Sequence, residues 1–422
     1  MVQTYFTSTS KTPLIQVVDS FLSLGMTESE TTETSIDIML FSFTSPLIFE
    51  RLKQLAQEYP EIQVRIIADW GNVSKKDDRK LLDLLPYCNS NFKIKFKVDQ
   101  PYIWDNDNQK LRWRYQASLG LLHHKTILIR QAKVPVKLLS GSFNWTKTAG
   151  INYENLMVLA ATTKPIQDVM QAFGLEFNAL WKTKELTLDY PQASLYRATI
   201  LKTYSGNPEL NSFQVAHRLI GQRTTVDDRP KCSPSQPITH DIMVAFSANH
   251  PYKGWRNKGF SVDNAYRYFY MNKPSGLQVK VPLDIHTTAL SVIYGALPDQ
   301  ELCLCMFAIS PRVPEYTALL EAARKGVRMR CILDRNTNKG MLVKIKELAQ
   351  MEQLPLQVKS GTRAMHQKYL VNHQAGMLIT GTANMSTDSS VRHAEHRFYF
   401  KNSKHITKHF QEDFDTIWQR IH

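Results

Sequence analysis

Apolar positions along the chain fall into two matching series. SIDIMLFSFTSP is an apolar run of strand length, PLIFERLKQLAQEY carries apolar residues at helical spacing, and QVRIIADW is a second short apolar run. ELCLCMFAISP, EYTALLEAARKG and VRMRCILDRN repeat that order in the second half, with Gly326 placed where a helix C-cap belongs. Strands that alternate with helices predict a sheet that is mixed but mostly parallel in each half. The matching continues: LLHHKTILIR, VKLLSGSFNWT and INYENLMVLA correspond to AMHQKYLVNH, GMLITGTANMS and VRHAEHRFYF. PIQDVMQAFGLEFNALW and ITKHFQEDFDTIW then close the halves with similar aromatic spacing and a terminal Trp, Trp181 and Trp418. Two homologous α/β halves are the economical explanation.

These limits divide the chain into an N-terminal half over 1–195, an inserted segment over 196–275 and a C-terminal half over 276–422. The insert has no evident counterpart in either half, and it holds eleven Lys/Arg against five Asp/Glu. Its stretch HPYKGWRNKGFSVDNAYRYFYMNK interleaves cations with aromatics, as a surface that holds phosphates and stacks bases does; a small aromatic core with solvated basic rims fits the same pattern.

Composition excludes some classes. With 43% hydrophobic and 21% charged residues the chain can bury a core and does not belong with disordered sequences. Five scattered cysteines lack the spacing of a zinc site or a disulfide framework and suit a reducing compartment. No stretch approaches a membrane span and the N-terminus lacks a leader pattern, so a soluble, cytoplasmic protein without stable membrane insertion is expected. The net charge of +14 attracts polyanions, whether nucleic acid or an anionic membrane surface.

Candidate chemistry sits at equivalent places in the two series: His123, Lys125, Ser142, Asn144 and Glu154 in the first, His366, Lys368, Thr382, Asn384 and Glu395 in the second. In both, His and Lys are two apart on an expected strand and so share a face. Asn follows His by 21 and 18 residues, and Glu follows Asn by 10 and 11. One His-x-Lys is a chance event, but two with the same followers describe a composite site. Phosphodiester hydrolysis needs a nucleophile, an acid for the leaving oxygen, and cations or donors around the phosphoryl oxygens. One His from each half can divide the first two tasks. Lys125, Lys368, Asn144 and Asn384, with Ser142 and Thr382, are the expected phosphate-binding groups. Glu154 and Glu395 would each accept from the far nitrogen of a histidine and fix its tautomer. Such a site requires neither a metal ion nor a cofactor.

The segments HHKTILI, GSFNWT and NYE, with HQKYLV, GTANMS and HAE, resemble the phospholipase D superfamily over roughly residues 10–185 and 275–420. The resemblance implies two packed α/β halves, a covalent phosphohistidine intermediate, His123 as nucleophile and His366 as acid. One departure is clear: the family's Asp five residues after each Lys is replaced by Arg130 and His373.

For the substrate, the basic charge points first to a nuclease, DNA being favoured over RNA. Lys93, Lys95 and Lys97 alternate on FKIKFKV, and Lys110, Arg112, Trp113, Arg114 and Tyr115 precede the first motif, so both runs are expected to line a nucleic-acid groove. Alternating lysines are equally the wet face of a strand. The alternatives are a lipid-hydrolysing or phosphatidyl-transferring enzyme and an inactive nucleic-acid-binding homologue. A chain with both motifs completes its site as a monomer, and a homodimer is compatible with it.

Overall fold

The computed structural model describes residues 1–28, 33–73, 79–98, 102–105, 110–113, 121–182, 187–195, 198, 237–247, 268–273, 275–391 and 393–421. In chain order the strands of the first half are β1 (Val2–Phe6), β2 (Thr34–Leu40), β3 (Gln63–Asp69), β4 (Phe92–Lys97), β5 (Tyr102–Asp105), β6 (Lys110–Trp113), β7 (Lys125–Gln131), β8 (Val134–Gly141), β9 (Asn155–Ala160) and β10 (Thr187–Leu188). Next come β11 (Pro237–Ile238), β12 (Ile242–Phe246), β13 (Tyr268–Asn272), β14 (Gln278–Pro282), β15 (Glu301–Met306), β16 (Arg328–Leu333), β17 (Leu356–Lys359), β18 (Lys368–Asn372), β19 (Met377–Gly381) and β20 (His396–Phe400). The helices are α1 (Leu14–Glu28), α2 (Pro46–Glu58), α3 (Lys164–Lys182), α4 (Ile285–Tyr294), α5 (Pro314–Arg324), α6 (Lys339–Met351), α7 (Thr387–Val391) and α8 (Lys404–Arg420).

Strands assemble into an eight-stranded sheet, β1-β9-β8-β7-β2-β3-β4-β10, and a seven-stranded one, β12-β20-β19-β18-β15-β16-β17. Apart from β10 the orders are identical once the halves are superposed in sequence, so the repeat is a repeat of topology. Both sheets are mixed, but the expected parallel majority needs correcting. Only β2-β3-β4 and β15-β16-β17, joined through helices, run parallel; β7-β8-β9 and β18-β19-β20 are successive antiparallel neighbours linked by short connections.

The boundary of the second half also moves. β12 pairs antiparallel with β20 as β1 pairs with β9, and α4 stands where α1 stands in the first half, so the C-terminal unit recruits residues well before 276. β11, β13 and β14 form a small separate sheet beside it. The remainder of the basic aromatic stretch, residues 248–267, lies outside the described residues, as do most of residues 196–236.

Local signals account for the elements. Ser45 caps α2 by accepting from the Ile48 amide, with Pro46 at its first turn. Asp284 and Thr287 form a capping box on α4. Gly326 takes φ +90° after α5, the left-handed turn that glycine makes without steric cost.

Three apolar clusters define the layers. α1 and α2 pack on the outer face of the first sheet, and α4, α5 and α6 on the outer face of the second. Between the sheets lies a shared core that includes α3 and α8. Each closing helix reaches the other half's first strand: Phe410 of α8 meets Phe6 of β1 edge-on at 5.0 Å, and Phe173 of α3 meets Phe246 of β12 at 5.1 Å. This interlock brings the ends of β7 and β18 together.

Candidate active site

Each His-x-Lys motif enters its strand through a backbone bridge to the opposite half. The His123 amide donates to the Ala394 carbonyl at 2.9 Å, and the His366 amide to the Tyr153 carbonyl at 3.0 Å. Ala394 and Tyr153 immediately precede Glu395 and Glu154, so the bridges set each histidine beside the other half's glutamate. His366 Nδ1 lies 2.8 Å from Glu154 Oε1, and His123 Nδ1 pairs with Glu395 Oε1. The two pairs are crossed between halves, and both glutamates are fully enclosed. With Nδ1 taken, Nε2 of each ring is the nitrogen left for chemistry, and the ring centroids are 6.4 Å apart.

The lysines are placed identically. Lys125 Nζ donates to the His123 carbonyl at 2.7 Å and lies 5.0 Å from the centre of the Phe41 ring. Lys368 Nζ donates to the His366 carbonyl at 2.5 Å and lies 5.1 Å from that of Phe307. The same phenylalanines pack edge-on against His123 and His366. Asn384 commits its carbonyl oxygen to the Ala308 amide, which leaves its NH2 as a donor; Asn144 occupies the equivalent turn.

Two glycines make this geometry possible. A Cβ on Gly141 would lie 2.2 Å from the Asn155 carbonyl oxygen, and one on Gly381 would lie 2.5 Å from that of His396. Only glycine lets these turns approach so closely.

Ser142 and Thr382 need correction as phosphate-binding groups. Both are fully buried: Ser142 Oγ donates to Glu154 Oε2 at 2.6 Å and accepts from the Asn155 amide, while Thr382 Oγ1 accepts from the His396 amide. Their hydrogen bonds are turned to the glutamate and the backbone, so they hold the site from behind. The FKIKFKV stripe is corrected too. Its lysines share the face covered by α3, where Lys95 stacks 4.9 Å over Trp181 and Lys97 is buried; Lys93 alone stays exposed. Lys110, Arg112 and Trp113 lie on β6, paired with β5, and their side chains fall outside the description; Arg114 and Tyr115 are outside the described residues altogether.

Arg130 and His373, which replace the superfamily's Asp, stand away from the histidines. Arg130 is buried in an ion pair with Asp37, and His373 Nδ1 meets Thr407 Oγ1 at 3.0 Å. The replacement therefore leaves the centre intact.

Burial governs the electrostatics. It pushes His123 well below the ordinary histidine range, helped by Lys125 and Lys368. It also lowers His366, but there the Glu154 carboxylate pulls back upward. Lys125 is driven well down by burial and by Lys368, and Lys368 is lowered to about 8 by burial. Glu395 is raised by burial to about 7. The pseudo-symmetric centre is thus chemically unequal, with His366 the better holder of a proton.

Sequence reasoning missed His393. Its ring centroid lies 6.1 Å from that of His123, its Nδ1 accepts the Leu121 amide, and it has Asn152 as counterpart in the other half, so the repeat gave no signal for it. Among the described residues no cluster of three or more His, Cys, Asp or Glu is arranged to hold a metal ion, and no helix is long and apolar enough to cross a membrane. A concavity of about 820 Å³, lined by Arg65, Arg130 and Lys164 among others, lies beside α3 at the end of β2 and β7 opposite the His-x-Lys motif.

A duplicated α/β fold that brings two His–Glu pairs and two lysines to one centre defines a two-motif protein of the phosphodiesterase type. The chain belongs to the phospholipase D superfamily: the family model described as cardiolipin synthase, PLD-like domain, matches residues 28–181 and 296–418. No curated protein matches it by sequence. Among solved structures, phosphatidylserine synthase of Haemophilus influenzae is similar over 100% of this chain and 87% of its own, with 11% identity and a TM-score of 0.59. Nuc, a phospholipase D family member from Salmonella typhimurium, is 22% identical over 45% of this chain and 97% of its own, TM-score 0.31. Yeast tyrosyl-DNA phosphodiesterase is 11% identical over 87% of this chain and 84% of its own, TM-score 0.41.

Proposed function

We propose that the chain hydrolyses phosphodiesters of nucleic acid through a phosphohistidine intermediate, with DNA the first substrate to test. The observation that carries this reading is the crossed pairing of His123 with Glu395 and His366 with Glu154 around one centre with two buried lysines. In the first step His123 Nε2 attacks phosphorus, the bond to the leaving oxygen breaks, and His366 gives that oxygen its proton. In the second, His366 takes a proton from water, the hydroxide attacks phosphorus, and the P–N bond breaks to restore His123. The order follows from proton affinity: the lower His123 is free to attack, and His366, supported by Glu154, holds the proton to donate. Lys125, Lys368 and the asparagine amides neutralise charge on the phosphoryl oxygens. Nucleic acid is favoured by the net charge of +14.

A second reading, phosphatidyl transfer, draws support from the description of the matching family model. The two separate in one experiment, in which purified chain is offered single- and double-stranded DNA, RNA and labelled phospholipid vesicles in parallel. Cleavage of nucleic acid that His123→Ala abolishes supports the proposal. Lipid turnover without nucleic-acid cleavage overturns it.

A further inference from the structure

Behind each His-x-Lys strand stands a second duplicated constellation, contributed by the strand–helix–strand part of each repeat. Asp69, the last residue of β3, accepts the Leu122 amide on Oδ2 at 2.8 Å and the Gly71 amide on Oδ1 at 2.7 Å. Asp334, just after β16, accepts the Met365 amide on Oδ2 at 3.2 Å and the Thr337 amide on Oδ1 at 2.9 Å. Leu122 and Met365 are the residues directly before His123 and His366. The neighbouring asparagines complete the arrangement. Asn72 Nδ2 donates to the carbonyls of Phe41 and Asp69, and Asn338 Nδ2 to those of Phe307 and Asp334. Phe41 and Phe307 are the rings against which the two histidines and two lysines rest. Asp69, Asn72, Asp334 and Asn338 are all buried.

Burying a carboxylate is costly unless something local compensates it, and the same cost is met at the same place twice in halves whose sequences have otherwise diverged. Its charge has an evident use. The charges of Lys368, Glu395, Glu154 and Asp69 act on Lys125, and those of Glu154, Glu395 and Asp334 on Lys368. Both glutamates act on both lysines and are already engaged by histidines, so Asp69 and Asp334 are the carboxylates that act on one lysine each.

We propose that Phe41–Asp69–Asn72 and Phe307–Asp334–Asn338 are a second duplicated motif of positioning residues. Each aspartate fixes the residue before the histidine, and its charge favours the cationic form of the lysine two residues past that histidine. The kinetic part of this inference rests on the phosphodiesterase reading above; the electrostatic part does not.

The test uses the full chain carrying 13Cε-labelled lysine, with Asp69→Asn and Asp334→Asn made separately. Asn retains an oxygen acceptor for the Leu122 or Met365 amide and removes the charge. NMR titration should show the Lys125 midpoint falling by about one pH unit in Asp69→Asn with Lys368 little moved, and the reverse in Asp334→Asn. Turnover of bis(p-nitrophenyl) phosphate should fall about tenfold or more in kcat with little change in KM, and its alkaline limb should move to lower pH. Asn338→Ser, which breaks the link to Phe307 without altering charge, should lower kcat and leave the lysine midpoints in place. Unchanged lysine midpoints in both aspartate variants, or a midpoint shift as large in Asn338→Ser, would overturn the inference. Because the titration needs no turnover, inactivity of the wild-type chain on every diester contradicts the proposed function alone.

Discussion

The residues at the centre differ in what their loss should do. His123→Ala and His366→Ala each remove a group that no neighbour replaces, and both should abolish diester turnover. Glu154→Gln and Glu395→Gln keep the shape but disturb the histidine tautomers, so kcat should fall about 10²–10⁴-fold in steady-state assays with folding preserved. The pH profile carries a sign. The reaction needs His123 neutral, which its depressed proton affinity secures into the acid range, His366 protonated, which burial makes harder to hold as pH rises toward the ordinary histidine value, and Lys368 charged, which fails above about 8. Activity on diesters with a poor leaving group should therefore be highest on the acid side of neutrality and decline as pH rises. Ser142→Ala should act indirectly: losing its bond to the enclosed Glu154 should destabilise the fold by about 1–3 kcal/mol, read by chemical denaturation. The recurrence of residue type and order singles out the His, Lys, Asn and Glu positions in the sequence, and the structure sets the histidines, lysines and glutamates around one centre; the partners of Ser142 and Thr382 were not legible, because a hydroxyl's partner depends on which way a turn faces.

At the scale of elements, duplication explains features that look unrelated along the chain. Arg65 stacks on Phe177 and Trp181 at 4.7 and 5.6 Å, and Arg330 on Phe414 and Trp418 at 5.0 and 5.5 Å. Lys95 and Lys359 complete the stacks over Trp181 and Trp418. The closing helices are thus clamped to the parallel strands by cations, and the alternating lysines of FKIKFKV include one of these clamps. Alternation marks which residues share a face of a strand; whether a helix covers that face is a tertiary fact. Another support stands in the second half, where the first has Leu156 at the equivalent position. Arg397 on β20 donates to the Ala383 and Asn384 carbonyls of the glycine turn and pairs with Glu315 of α5 at 3.1 Å, all buried. Arg397→Leu should destabilise the chain by about 3–5 kcal/mol in denaturant unfolding, since it strands the Ile285, Ala383 and Asn384 carbonyls and leaves the buried Glu315 carboxylate with His286 alone. β12 escaped sequence reading because it returns to its sheet from a segment whose other residues match nothing in the first half.

For the whole molecule, the interface between the halves is a structural seam as well as the catalytic one. His124, the middle residue of the first motif, stacks on His396 with ring centroids 5.1 Å apart and Nδ1 atoms at 2.9 Å, both rings fully buried between the sheets. Burial lowers His124 to about 3 and His396 well below the ordinary histidine range. The unfolded chain therefore takes up these protons first as pH falls below about 6.5, and stability drops from there toward pH 3. Asp413, raised by burial to about 6, acts in the opposite sense, giving stability that fades as pH rises through that value. Melting temperatures at pH 4.5 and 7.5 should show a net acid loss that is smaller in His124→Gln, the residue that Gln367 supplies in the second motif. The two-half architecture was legible because strand, helix and motif order repeat. The crossed His–Glu pairing was not, because it arises from contacts between residues more than two hundred positions apart.

In the proposed reaction one histidine from each half serves a single site, His123 attacking and His366 moving the proton. This division of roles is tested most directly by rapid-quench kinetics of His366→Ala with bis(p-nitrophenyl) phosphate, whose leaving group departs without an acid. A burst of one p-nitrophenol per chain is expected, followed by a stall, with the phosphoryl adduct mapped by mass spectrometry to His123. Steady turnover without an adduct, or an adduct on any other residue, would contradict it.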